Sequence, residues 1–256
     1  MQIPSLLWTL VASASLWLEV HAIINGELQK TANPYVVSVV VSGWTGDSHL
    51  CGGTIIGAKT VLTAAHCTEG SSASNLRIKY GGTDRLNLSK SIAVNKITQH
   101  PSYSSSTHNE DFALLILDKA VTAPDGSPMT TYAQVSTKSP STGTDITMSG
   151  WGKLRGEDNT LPKEIHTATL SSLEATACNE KWADINRVTK KMACAESTSK
   201  SFCKGDDGGP VMNAEGSVVF GVMSWNANGC PADSTVRPNV YSDVSLERAW
   251  IIMSIV

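Results

Sequence analysis

The chain has 256 residues, of which 41% are hydrophobic and 17% are charged, and it contains 20 glycines and 10 prolines. This composition excludes a disordered chain, a collagen-like repeat and a coiled coil. The 20 Lys and Arg residues nearly balance the 23 Asp and Glu residues, and the net charge of −3 argues against nucleic acid or a polybasic membrane contact as the main partner.

Residues 1–22 have the pattern of a secretory signal peptide. An apolar run from Leu6 to Leu18 is followed by Val20-His21-Ala22, a small-x-small end suited to signal peptidase. The run is too short to span a bilayer. We therefore expect cleavage after Ala22, a secreted protein and no membrane attachment.

Six cysteines, an even number in a chain predicted to be exported, indicate three disulfides. Zinc is the alternative, but the sequence has no Cys-x-x-Cys pair, and His66 and Cys67 are adjacent rather than at ligand spacing. No metal is therefore predicted. Asn87-Leu88-Ser89 is a sequon for a glycan if it is exposed.

After residue 22, short β-branched and apolar runs alternate with turn residues, which favours β-barrels or a sandwich. The breaker cluster at 123–128 marks a predicted link between two β halves. The predicted strands are 35–41, 54–63, 76–80, 92–97, 112–117, 146–148, 218–224 and 239–244.

The chain ends in a predicted amphipathic helix. Leu246, Ala249, Trp250 and Met253 recur at i, i+3, i+4 and i+7, and Ser245 precedes them as a predicted N-cap. We expect these four apolar side chains to form the buried face.

Three motifs occur in a fixed order: 63–67 (TAAHC), 111–115 (DFALL) and 205–210 (GDDGGP). His66 and Asp111 are 45 residues apart, and Asp111 and Asp207 are 96 apart. These separations are too long for one local motif, so the three groups must meet through the fold, as a catalytic triad does.

The chain resembles the chymotrypsin and trypsin family of serine proteases over nearly its whole length after residue 22. The resemblance rests on the three motifs above and on four more, at 23–26 (IING), 51–53 (CGG), 149–152 (SGWG) and 224–225 (SW). The resemblance implies an all-β fold of two six-stranded antiparallel barrels, with the site in the cleft between them and a short C-terminal helix. One peptidase domain is expected at 23–256, with the N-terminal barrel at 23–128 and the C-terminal barrel and helix at 129–256. The disulfides it implies are Cys51 to Cys67, Cys178 to Cys194 and Cys203 to Cys230.

The resemblance assigns His66 as the general base and Asp111 as its orienting group, but Asp207 stands where the family has its nucleophilic Ser. Attack by a carboxylate on an amide yields a mixed anhydride, which is more reactive than the amide that it replaces. A carboxylate about 3.5 Å from the developing oxyanion also repels it by roughly 5 kcal/mol at an effective dielectric constant near 20. It would thus oppose the oxyanion hole expected from the N–H groups of Gly205 and Asp207. We expect a non-functional remnant triad; residual peptidase activity through Asp207 is the alternative.

Two carboxylates near one imidazole favour its charged form. Between Asp111 and Asp207, His66 is therefore expected to be an imidazolium at neutral pH and unable to act as a base.

The specificity pocket has an unusual composition for the family that the chain resembles. Ser201 is expected at the pocket base, followed by Phe202, and Asn226 and Asn239 occupy two wall positions where the family usually has Gly. These side chains predict an occluded pocket. The alternative is that the asparagines only change the specificity.

The resemblance also assigns Ile23 and Asp206 to a buried ion pair that forms when the chain is cut before Ile23. Residues 1–22 contain no Lys or Arg, so signal peptidase alone is expected to produce this terminus. No cofactor is implied. No structural calcium is predicted either, because Asp84 is the one acidic residue in 81–94.

Residues 181–204 have a net charge of +4 by count, which suits acidic partners or glycosaminoglycans, although a solvated surface is the alternative. Trp44 is expected at the rim of the cleft, where an exposed ring would anchor a partner. The alternative is that Trp44 belongs to the core. The six cations and two acids counted are Lys181, Arg187, Lys190, Lys191, Lys200, Lys204, Asp184 and Glu196.

In its replaced nucleophile and its predicted blocked pocket, the chain resembles the scabies mite inactivated serine protease paralogues. Those proteins in turn resemble mite group 3 allergens. This resemblance implies a non-catalytic binding protein that engages host proteins and interferes with host defence, notably complement. Arthropod serine protease homologues that act as immune cofactors are the alternative family, but they usually carry a clip domain. A decoy that binds protease substrates or inhibitors in the remnant cleft is the alternative function.

Overall fold

A computed structural model describes residues 23–44, 46–185 and 188–256. The predicted signal peptide at 1–22 lies outside these residues. None of the helices in the described ranges is long and apolar enough to cross a membrane.

The described chain consists mainly of short strands, joined by turns and by the helices α1 (Ala175–Trp182) and α2 (Arg248–Met253). Short 3-10 turns occur at His66–Thr68, Ala73–Asn75 and Val244–Leu246. The strands are β1 (Glu27–Leu28), β2 (Val36–Gly43), β3 (Gly46–Gly57), β4 (Thr60–Thr63), β5 (Leu76–Tyr80), β6 (Lys90–Gln99), β7 (Ala113–Leu117), β8 (Gln134–Val135), β9 (Asp145–Gly150), β10 (His166–Leu173), β11 (Met192–Glu196), β12 (Pro210–Met212), β13 (Val218–Trp225) and β14 (Asn239–Asp243).

Six strands form a closed first barrel in the order β2-β3-β4-β7-β6-β5. Alternation of side chains along the strands places the apolar residues inside. In β5, for example, Leu76, Ile78 and Tyr80 are buried, while Arg77 and Lys79 between them are partly exposed.

A second set of six strands, β9-β10-β11-β14-β13-β12, closes through the pairings of β9 with β10 and with β12. Its core contains Ile146, Met148, Leu170, Val211 and Tyr241. The predicted all-β fold of two six-stranded antiparallel barrels is therefore confirmed.

Both ends of the chain connect the two barrels. Strand β1 pairs with β10 of the second barrel, whereas α2 follows the second barrel and packs on the core of the first. The barrel strands lie within 36–117 and 145–243. The expected division at residue 128 stays a prediction.

The run at 54–63 was predicted to be one strand, and this is wrong. Strand β3 ends at Gly57 and β4 begins at Thr60, so the run contains a hairpin turn. Gly57 and the partly exposed Lys59 lie at this turn, and they were the local signal that the prediction overlooked.

The predicted buried face of the terminal helix is also wrong. Leu246 and Met253 are 45% and 87% exposed, whereas Ile251 is fully buried. Trp250 and Ile255 pack beside Ile251 against the first barrel. The 3-10 turn at Val244–Leu246 precedes the helix and interrupts the 3.6-residue period on which the prediction was based.

Ser245 is not the N-cap of α2, which begins at Arg248. The Asp243 carboxylate instead accepts hydrogen bonds from the backbone N and the hydroxyl of Ser245, at 2.9 and 2.7 Å. Asp243 therefore caps the 3-10 turn that leads into the helix.

Three disulfides are present in the pairing that the resemblance implied. Each closes a loop and is expected to contribute about 2–4 kcal/mol to the free energy of unfolding. The pairs are Cys51–Cys67, Cys178–Cys194 and Cys203–Cys230.

Candidate functional site

Pairing of two strands brings His66 and Asp111 together. His66 follows β4 and Asp111 precedes β7, and these strands are antiparallel neighbours with Thr63 opposite Ala113. The His66 Nδ1 atom lies 2.7 Å from Asp111 Oδ2, and the His66 backbone N donates to Asp111 Oδ1 at 2.9 Å. The carboxylate thus fixes both the ring and the backbone of His66.

Asp111 is completely buried and is hydrogen-bonded from both barrels. The Ser224 hydroxyl, on β13 of the second barrel, donates to Asp111 Oδ2 at 2.6 Å. Burial alone would raise the pKa of Asp111, but contacts with His108, His66 and Ser224 lower this pKa far below its ordinary value. Asp111 is therefore a carboxylate at neutral pH.

The loop that carries Asp207 comes from the second barrel and packs against the first. The Gly52 backbone N donates to the Asp207 carbonyl at 2.8 Å. Gly208 has φ +76°, and a Cβ there would lie 2.8 Å from the Gly52 carbonyl oxygen, so a residue with a side chain would disturb this contact. The Asp207 charge raises the pKa of His66, and the His66 charge lowers the pKa of Asp207, so the two groups interact electrostatically.

The Asp207 carboxylate also faces one of the expected oxyanion-hole donors. The Gly205 backbone N lies 3.4 Å from Asp207 Oδ2, in a long hydrogen bond. Burial raises the pKa of Asp207, and the charge of His66 opposes this effect without cancelling it. The Gly205 N–H is therefore directed at a protein carboxylate before any substrate arrives.

The pKa of His66 is raised above its ordinary value of 6.5. Burial lowers this pKa, but the hydrogen bond and charge of Asp111, together with the charge of Asp207, raise it by more. The electrostatics therefore favour the imidazolium form predicted from the sequence.

We predict that an NMR titration of the native chain gives a His66 pKa above 6.5, and that Asp207→Asn lowers this pKa by removing one negative charge. Asp184→Asn is the control, because Asp184 pairs with Arg237 at the surface and does not contribute to the His66 shift. A His66 pKa that Asp207→Asn leaves unchanged would contradict the prediction.

The four predicted pocket residues meet in one hydrogen-bonded cluster. The Ser201 hydroxyl donates to Asn239 Oδ1 at 2.8 Å, and Asn226 Nδ2 donates to the Phe202 carbonyl and lies 3.3 Å from Ser201 Oγ. Asn239 Nδ2 donates to the Ala195 carbonyl at 3.3 Å. Ser201, Phe202 and Asn239 are all at most 1% exposed. The polar groups of this pocket thus bond to one another.

Asp206 is buried without a side-chain cation beside it in the part of the chain that is described. Its Oδ1 accepts from the Gly152 backbone N at 2.7 Å, and its Oδ2 accepts from the Cys203 backbone N at 2.9 Å. Burial nevertheless raises the pKa of Asp206 to about 7. Ile23 is fully buried in the second core, but in an uncut chain its nitrogen is an uncharged peptide nitrogen. The ion pair of Ile23 with Asp206 stays a prediction.

Asn87 is exposed, as a glycan acceptor must be, and its Nδ2 donates to Asp84 Oδ2 at 2.7 Å. The other oxygen of Asp84 accepts from the Leu86 backbone N at 2.9 Å. Glycosylation of Asn87 and the absence of calcium both stay predictions.

Ion pairs reduce the positive charge predicted for residues 181–204. Lys191 pairs with Glu110 at 3.4 Å and with Glu247, and Lys200 pairs with Glu27 at 3.3 Å. Lys181 pairs at 2.6 Å with Glu196, an acid that the count of +4 already includes. Arg187 lies outside the described residues. Electrostatic attraction of acidic partners is therefore weaker than the count of +4 suggests.

His108 was missed by the sequence analysis. Its ring centroid lies 5.3 Å from that of His66, and its Nδ1 lies 3.6 Å from Asp111 Oδ2. Its position three residues before Asp111 was the available signal. His108 also lines an open groove of about 450 Å³ together with Trp182, Trp225 and Asn226.

Comparisons with known proteins agree with this geometry. The Trypsin family model matches residues 23–251. Trypsin theta of Drosophila melanogaster is 33% identical over 225 residues, which cover 86% of this chain and 81% of that protein. Trypsin delta of Drosophila melanogaster is 30% identical over 220 residues, which cover 86% of this chain and 82% of that protein.

A structural comparison supports the fold independently. Neuropsin, a serine protease expressed in the limbic system of mouse brain, superimposes with a TM-score of 0.78 at 24% identity, and the match covers 91% of this chain and 99% of neuropsin. The family model and the fly relatives together span nearly all of the two barrels. The chain therefore belongs to the trypsin family.

Proposed function

We propose that this protein is a secreted, catalytically inactive member of the trypsin family that acts by binding other proteins. The observation that carries the proposal is Asp207, a carboxylate at the position of the attacking hydroxyl in the family motif. Asp207 Oδ2 lies 3.4 Å from the Gly205 N–H, which is one of the two expected oxyanion-hole donors.

Electrostatics oppose peptide hydrolysis at such a site. The oxyanion hole accelerates acyl transfer because its donors stabilise charge that develops in the transition state. A resident carboxylate at hydrogen-bond range competes for the same donors and repels the developing charge. His66 with a raised pKa is, in addition, less available as a base at neutral pH.

The filled pocket supports the same proposal. Ser201, Asn226 and Asn239 bond to one another where a substrate side chain would have to enter. A substrate must therefore displace these hydrogen bonds before it docks, and each broken bond leaves a buried polar group unpaired. We interpret the cluster as an occluded specificity pocket.

We propose host proteins, complement components among them, as the partners, in line with the resemblance to scabies mite inactivated protease paralogues. Two exposed apolar side chains support recognition by the surface: Trp44 at the tip of the β2–β3 hairpin is fully exposed, and Ile185 beside the groove is 65% exposed. Exposed aromatic residues are frequent anchors in protein interfaces.

An active-site phosphonate probe and a fluorogenic peptide library test whether chemistry survives. The native chain is expected to remain unlabelled and to release no fluorophore, whereas an active trypsin run in parallel does both. Labelling or steady hydrolysis by the native chain would establish the alternative of a peptidase with residual activity.

Affinity capture from serum tests the binding role. The native chain is expected to retain specific proteins in the presence of protease inhibitors, and Trp44→Ser is expected to reduce this capture relative to Leu86→Ser, another exposed apolar position. The groove beside His108 and Trp225 makes a remnant-cleft decoy the second candidate. Release of the captured proteins by protease inhibitors would favour that decoy.

A further inference from the structure

His66, His108 and Asp111 form a compact group of metal-type ligands. One ligand atom from each of the three side chains lies within 4.8 Å of the other two. His66 Nδ1 is 2.7 Å and His108 Nδ1 is 3.6 Å from Asp111 Oδ2. Within the described part of the chain, His108 Nδ1 is a buried atom without a hydrogen-bond partner.

The backbone holds this group together at a conformational cost. His108 has φ +54° and Glu110 has φ +53°, in the left-handed region that residues with side chains rarely adopt. Asn109 between them is fixed from the second barrel by the Thr189 hydroxyl, which hydrogen-bonds to its side-chain oxygen. Strained backbone that brings side chains of one chemical type together is typical of functional sites.

The sequence alone predicted no metal, but from the geometry we propose that His66, His108 and Asp111 constitute a binding site for a divalent transition metal, and that Zn²⁺ suits it best. Two imidazoles and one carboxylate are a common three-ligand set for zinc, with a further position left open. Calcium and magnesium are disfavoured because they prefer oxygen ligands.

Two of the three distances between ligand atoms are close to those around such an ion, and one ligand atom of each side chain lies within 4.8 Å of the others. With bonds of about 2.0–2.1 Å, the ligand atoms of a tetrahedral zinc ion lie about 3.3 Å apart. The two distances to Asp111 Oδ2, 2.7 and 3.6 Å, lie on either side of this value. The bound ion would replace the proton between His66 Nδ1 and Asp111, while the Ser224 hydroxyl and the His66 backbone N continue to orient the carboxylate.

Two other groups of metal-type side chains in the described ranges are already engaged. His100, Glu110 and Glu247 lie close together, but the Lys191 ammonium pairs with both carboxylates. Cys51 and Cys67, beside His66, are joined in a disulfide. The group around His108 differs from both, because its His108 Nδ1 is buried without a hydrogen-bond partner among the described residues.

Zn²⁺ titration by calorimetry, and the visible absorption of bound Co²⁺, test the site in the chain from residue 23 to 256. We expect one ion per chain, and His108→Gly is expected to weaken Zn²⁺ binding by more than about tenfold, since even indirect partners of metal ligands are worth about 10–100-fold. Gly suits the left-handed backbone, so the variant removes the ligand without adding strain.

His108→Asn serves as the second variant, because Asn also tolerates a positive φ. His100→Gln is the matched control: it removes an imidazole from the competing group, and it is expected to leave the affinity unchanged. The inference is overturned if the native chain binds no Zn²⁺, or if both His108 variants bind it as tightly as the native chain. Because binding is measured directly, the outcome is independent of whether the protein hydrolyses peptides.

Discussion

Asp207→Ser alone is expected to leave peptide hydrolysis close to the level of the native chain. The change restores the hydroxyl, whose loss in a serine protease of unrelated fold costs about 10⁶ in turnover. The substrate must still dock, however, and Asn226 and Asn239 remain bonded to Ser201 across the pocket. Displacement of a scissile bond by about 1 Å already costs about 100-fold, so partial docking is not sufficient.

The double variant Asp207→Ser/Asn226→Gly is expected to hydrolyse peptides at least about 100-fold faster than the single variant. Asn226 is the better target of the two asparagines because it is partly exposed, whereas Asn239 is fully buried and bonded to Ala195. Asp207→Ser/Asn228→Gly is the matched control, since Asn228 lines the same groove but is exposed. Equal kcat/KM for the single and double variants would show that the pocket is not occluded.

Asp206 is expected to make the free energy of unfolding depend on pH, and a cut before Ile23 is expected to remove this dependence. In a chain that keeps Ala22, we expect the free energy of unfolding to fall by about 3 kcal/mol between pH 4 and pH 7, because the pKa of Asp206 rises from 3.8 to about 7 on folding. Over this range the native state binds more protons than the unfolded state, so stability decreases as the pH rises. This loss is complete once the pH exceeds the native-state pKa.

A chain that begins at Ile23 is expected to lack this loss. We expect its terminal ammonium to pair with the Asp206 carboxylate, which favours the ionised form and returns the pKa towards or below its ordinary value. Urea denaturation of both chains at several pH values measures the difference. Asp206→Asn in the longer chain is the control, and it is expected to remove this part of the pH dependence. The same pH dependence in both chains would contradict the ion pair.

The short strand runs favoured barrels or a sandwich, and the family resemblance, carried by local motifs, implied the two barrels that the structure has. Short motifs identify His66, Asp111 and Asp207, and the pairing of β4 with β7 then brings the first two together without further information. Strand β5 was predicted with its correct bounds, since Leu76, Ile78 and Tyr80 alternate with Arg77 and Lys79. The disulfides followed from the family resemblance.

Features that depend on backbone geometry were not predicted from the sequence. The phase of α2 was wrong because a 3-10 turn precedes it, so Ile251 is buried instead of Met253. Strand β10 was missed because its buried positions alternate with Thr and Ser, which also occur in turns. His108 was not assigned a role, because its three-residue spacing from Asp111 does not by itself specify the left-handed backbone that brings the two side chains together.

Long-range ion pairs were likewise beyond the reach of the sequence. Counting charges gave residues 181–204 a positive surface, but Lys191 pairs with Glu110 and Glu247, and Lys200 pairs with Glu27, all of which lie outside this segment. Only the folded structure shows which of these cations is free to attract a partner.

The most direct test of the account is the number of peptide bonds that one molecule of purified protein hydrolyses in an unfolded protein substrate, compared with its His66→Ala variant. We predict that the native chain cleaves no faster than the variant, because Asp207 stands where the family has its nucleophilic hydroxyl and its charge repels the developing oxyanion. Many turnovers per molecule by the native chain, abolished by His66→Ala, would contradict the account.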